Sequence, residues 1–135
     1  MRKRNQNSEF SKATLEAIEK SKGKTLVNLE LDSDDLLVLT FEDSSKLKIW
    51  DDGQRCCENR YMRTDDEPTY YIEAEFRGVE LRNAPSGEPE DDRNYCSHEV
   101  QFLVINTDYG QIVFSSHNVH NGWYSGFDIR AEVDY

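Results

Sequence analysis

The stretch His117 to Phe127, HNVHNGWYSGF, sets two His, two Asn and three aromatic rings within eleven residues. Such rings can stack on a base or ribose, and Asn amides both donate and accept along a base edge. Gly122 and Gly126 let the backbone turn sharply and approach a bound molecule closely. A second chemically dense stretch, WDDGQRCCENRYMRTDDEP, spans residues 50–68. It holds an adjacent pair, Cys56 and Cys57, between Arg55 and Arg60, with Arg63 following. Lysine occurs only up to Lys48, and every cation from residue 55 onward is Arg. The guanidinium fork matches phosphate oxygens, and its plane stacks on rings. Together these residues suit a small anionic, nucleotide-like ligand. Arg55, Arg60 and Arg63 would take phosphates, and Trp123, Tyr124 and Phe127 would wall a base or ribose. Asn118 and Asn121 would bond polar edges, with His117 and His120 beside them.

Other chemistry competes for the same residues. His117 and His120 stand three apart, but an adjacent Cys-Cys pair lacks the spacing of zinc ligands. No metal is therefore expected, and Cys56 and Cys57 are read as buried, reduced spacers. Cys57 beside arginines could be a nucleophile with His117 as its base. No P-loop, dinucleotide fingerprint or Gly-rich elbow accompanies it, so a Cys/His hydrolase ranks behind plain binding, and no cofactor is implied. Asp65, Asp66 and Glu67 read as a charged turn before Pro68. The plainest alternatives are that the arginines pair with some of the 27 carboxylates and that the rings are core.

Charge narrows the partners. A net charge of −11 argues against duplex nucleic acid and against an anionic membrane surface. No run reaches the ~18 apolar residues of a membrane span. The N-terminal MRKRNQNSEFSK lacks the apolar region of a secretory signal. With three cysteines and no signal, a cytoplasmic location with reduced thiols is expected. The acidity also supports a second class of function, a protein-interaction module that inhibits a basic host protein through an aromatic hot spot. A homodimer or higher homo-oligomer suits a domain of this size with exposed rings.

The elements that must position these residues follow from periodicity. The 135 residues read as a single domain, with residues 1–7 disordered and 84–97 an acidic loop. Ser8 can cap a helix over about 9–22, ended by Gly23, whose Phe10, Ala13, Ala17 and Ile18 form one apolar stripe. Period-two runs at 25–31, 36–41 and 46–50 read as strands joined by Asp/Ser turns. Further strands are expected at 69–81, 99–107, 111–118 and 127–133, with Gly110 in a hairpin turn. The expected fold class is α+β: an N-terminal helix packed on a mostly antiparallel β-sheet of six to eight strands.

Certain residues also recur in a known order. Phe41, Glu42, Asp43, Leu47, Lys48 and Ile49 lead into Gln54, Cys56, Cys57 and Glu58. Val100, Gln101, Phe102, Leu103, Ile105, Asn106, Thr107 and Gly110 then lead into His117 to Phe127. Over roughly residues 23–131 this order resembles a small uncharacterised domain family of phages and their bacterial hosts, marked by CCE and HNxHNGYYxGF elements. Trp123 stands where that family carries Tyr, and Arg55 stands where it carries an acidic residue. The family is similar in turn to the phage Thoeris anti-defence sponges. That likeness implies a non-catalytic, oligomeric β-rich protein that sequesters a cyclic ADP-ribose-like signal, as phage counter-defence in the host cytoplasm.

Overall fold

The computed structural model describes residues 10–33, 35–53, 59–83, 97–120 and 127–135, with backbone alone at 97, 98 and 120. The expectations for residues 1–7, for Arg55, Cys56 and Cys57, for Asn121, Trp123 and Tyr124, and for the loop from 84 to 96 lie outside the described residues, as does the side chain of His120.

Helix α1 (Lys12–Ser21) begins later than periodicity suggests. Ser11 is its N-cap, with extended backbone and a side chain that accepts from the Thr14 amide at 3.1 Å. That bond satisfies one of the open donors of the first turn, so Ser11 rather than Ser8 sets the start. Thr14, Ala17, Ile18 and Ser21 form the buried face. Gly23, at φ 88°, turns the chain out of the helix, and its amide donates to the Phe76 carbonyl.

Two antiparallel sheets of four strands follow, where one sheet of six to eight was expected. The first contains β1 (Leu26–Asp32), β2 (Leu36–Phe41), β3 (Lys46–Asp51) and β8 (Ile129–Asp134), in the order β1-β2-β3-β8. The second contains β4 (Asn59–Thr64), β5 (Phe76–Asn83), β6 (Ser97–Thr107) and β7 (Gly110–His120), in the order β4-β7-β6-β5. Alternation shows that a strand has one buried face, but not which strands share a sheet. Leu29, Leu39, Leu47 and Ile49 of the first sheet share one core with Leu103, Ile105, Ile112 and Phe114 of the second. Phe41 and Phe76 join the sheets with ring centroids 5.6 Å apart. Along the edge of β8, the Ala131 amide donates to Thr14 Oγ1, so α1 covers backbone that would otherwise stand open.

Two local differences matter for the site. The expected strand from 69 begins instead as a 3₁₀ helix, Pro68–Tyr71, because proline fixes its own φ and offers no amide to a ladder. Strand β4, in turn, was not expected at all. Its inward side chains are Arg60, Met62 and Thr64, so apolar alternation is missing although the backbone pairs fully with β7. Among the described residues no helix is long and apolar enough to cross a membrane.

Candidate functional site

Pairing of β4 with β7 decides where the named residues go. Arg60 lies opposite Asn118, Tyr61 opposite His117, Met62 opposite Ser116 and Arg63 opposite Ser115. Neighbours along a strand point to opposite faces. Arg60 and Asn118 therefore face the interior, while Arg63 and His117 face outward. The described strand members of the sequence-based set, Arg60, Arg63, His117 and Asn118, are thus split between the two faces of one sheet, and Phe127, expected as a pocket wall, is part of the shared core at 7 % exposure.

On the inner face the apolar core gives way to polar side chains. Arg60 Nη1 lies 3.0 and 2.8 Å from the two carboxylate oxygens of Asp51, and both side chains are 7 % exposed. Asp51 Oδ1 also accepts from the amides of Gly53 and Asp128. This carboxylate thus ties the end of β3 to β4 and to the start of β8. Such a pair neutralises Arg60 and leaves it poorly placed to take a phosphate. Asn118, fully buried, donates to Glu99 across the β6–β7 pair at 3.4 Å. Beside it, Gln101 Oε1 and Ser116 Oγ are buried and have no hydrogen-bond partner among the described residues.

The outer face is built differently. Tyr61 and His117 stack at 4.6 Å between ring centroids and 7° between planes. The guanidinium of Arg63 lies over the other partner of that stack, 5.1 Å from the Tyr61 ring centre. His117 Nε2 is 2.8 Å from Ser115 Oγ, two residues along the same face. Arg63, Ser115, His117 and Phe102 line one groove of about 480 Å³. Asp65 and Asp66 stand at its acidic end, where Asp66 Oδ2 accepts from the Val113 amide and fixes the turn that closes β4.

Ion pairing separates the arginines. Arg77 pairs with Glu75, Arg82 with Glu80, and Arg130 with Asp52 and Asp128. Their carboxylates neutralise them, and the Arg82 hydrogen bond holds Glu80 below the usual carboxylate range. Arg63 has no such carboxylate among the described residues. A second concavity of about 350 Å³ lies between α1 and β8, lined by Trp50, Arg130 and Tyr135 among others, but its arginine is already paired. Among the described residues no cluster of three or more His, Cys, Asp or Glu could hold a metal ion.

Sequence reasoning named Arg63 and His117 but missed Tyr61, Ser115 and Phe102. The signal was present in NRYMRT and SSH, where residues two apart share a face, but it needed the strand pairing to be read.

No curated protein and no solved structure matches the chain. A family model, described as a domain of unknown function, matches residues 19–129, which takes in all of β1 to β7 and the first residue of β8. By that match, the chain belongs to the DUF7448 family.

Proposed function

We propose that the outer groove binds a small, anionic, ring-bearing ligand of nucleotide type and holds it without transforming it. The carrying observation is Arg63, an exposed cation with no described carboxylate partner, which lies over Tyr61 and lines a groove with His117 and Ser115. Its fork suits a phosphate, while the stacked pair and Phe102 offer ring surface beside it. The charge of −11 opposes a long polyanion but leaves room for a ligand with one or two phosphates. The finer reading, sequestration of a cyclic ADP-ribose-like signal as phage counter-defence in the host cytoplasm, draws support from the CCE and HNxHNGYYxGF resemblance.

Native mass spectrometry tests this on protein purified from cells whose cyclic ADP-ribose-producing immune enzymes are active. A retained small molecule, recovered chemically intact after heat denaturation, is expected. Recovery of a cleaved product would overturn the non-catalytic reading, and the 2.8 Å contact between Ser115 and His117 makes that the chemistry to watch. Capture of a basic host protein with no small molecule would favour the interaction-module alternative instead.

A further inference from the structure

A different surface lies beyond the acidic end of the groove. Tyr70 and Tyr71 meet edge to face at 5.0 Å and 78°, and Tyr70 meets Tyr109 at 6.4 Å and 68°. The 3₁₀ helix supplies the first two rings, and the β6–β7 hairpin supplies the third. Tyr70 is 65 % exposed and Tyr109 46 %. A single exposed ring needs no explanation, whereas two exposed rings joined through Tyr70 to the half-buried Tyr71 form a patch of the kind used for recognition.

This trio is held in place. Tyr71 donates its hydroxyl to the Gln111 carbonyl at 3.0 Å. The Tyr109 amide donates to Thr107 Oγ1, and that hydroxyl donates to the Gly110 carbonyl, so the hairpin tip is fixed from both sides. The surroundings are acidic. Glu67 Oε2 accepts from Thr69 within the same turn, and Asp108, next to Tyr109, accepts from the Glu75 amide. The Tyr71 hydroxyl is pushed above its ordinary pKa by burial first and then by the negative field of Asp66. Among the described residues no Lys or Arg lies over any of these three rings, although Lys24 and Arg63 lie over rings elsewhere. Ring faces carry negative potential and attract cations, and nearby carboxylates add to that attraction.

We propose that Tyr70, Tyr71 and Tyr109 form a receptor for a cationic side chain, a lysine or arginine presented by a basic segment of a partner protein. This surface is independent of the anion groove, since the groove needs Arg63 and the trio does not.

The test is an NMR titration of the full chain with three short, otherwise identical peptides carrying a central lysine, trimethyllysine or norleucine. The two cationic peptides should shift the amides of Tyr70, Tyr71 and Tyr109, and the norleucine peptide should not. Tyr70→Ala, at a largely exposed position, should keep the fold and weaken the cationic peptides at least tenfold. Tyr70→Phe should retain them, and Glu67→Gln should weaken them severalfold. Equal binding of norleucine, unchanged binding to Tyr70→Ala, or shifts spread over acidic residues away from the trio would each overturn the proposal.

Discussion

The rings of Tyr61 and His117 lie parallel across the β4–β7 pair, 4.6 Å apart at an interplanar angle of 7°. Aromatic pairs of this kind contribute about 0.5–1.5 kcal/mol beyond the area they bury. A double-mutant cycle with Tyr61→Ala and His117→Ala, followed by urea unfolding, should therefore return a coupling of about that size. Strictly additive losses would show that the two rings do not stabilise each other.

Two arginines three residues apart should behave oppositely. Arg60 is buried against Asp51, so Arg60→Ala leaves an uncompensated carboxylate and should cost about 3–5 kcal/mol. Arg63 is exposed and pairs with no described carboxylate, so Arg63→Ala should change stability by no more than about 0.5 kcal/mol. Similar losses in chemical denaturation would contradict the division of β4 into a structural and a ligand-facing side.

Gly53 is held to its size by the same pair. A Cβ there would lie 2.6 Å from Arg60 Cζ and Nη1. A free arginine end would swing aside, but this one is clasped by both Asp51 oxygens. Gly53→Ala should then cost about 1–3 kcal/mol, as overpacking does. A neutral result in thermal melting would mean that the guanidinium yields after all.

Much of this was legible in the chain, and the illegible part has one physical origin. Leu36 to Phe41 came out as the strand expected, because its apolar run and flanking Asp/Ser turns leave few alternatives. Gly23 and Gly110 sit at positive φ where turns were expected. Strand β4 escaped notice because Arg60 breaks the apolar pattern. A rule that assigns Arg to solvent cannot know that Asp51, nine residues earlier, waits in the interior. The site list failed in a related way. Period two sends Arg60 and Arg63 to opposite faces, as it does His117 and Asn118, but only a residue already assigned to a strand can be sorted so. The sequence makes Phe127 a candidate wall because it ends an aromatic-rich stretch. It opens β8's approach to the core instead.

Acid should reveal the β2–β3 turn. The Lys24 ammonium, then the Ser45 hydroxyl and amide, hydrogen-bond the Asp43 carboxylate and hold its pKa far below the ordinary 3.8. With a lowered folded-state pKa, its stabilisation is fully present above the unfolded value and fades as pH falls below it toward the folded one. Asp43→Asn should thus melt below the wild type at pH 7, and the gap should narrow steadily from about pH 4 downward. A gap that stays constant between pH 7 and pH 2 would show that the turn does not depend on the charged form.

Isothermal titration of cyclic ADP-ribose isomers into wild-type protein and Arg63→Ala tests the groove most directly. The wild type should bind at least one isomer, and Arg63→Ala should bind it at least tenfold more weakly, a loss of about 1.4 kcal/mol, while melting within a few degrees of the wild type. Equal binding by the two proteins, or no binding of any isomer by the wild type, would contradict the assignment of the Arg63–Tyr61–His117 face as a site for such a ligand.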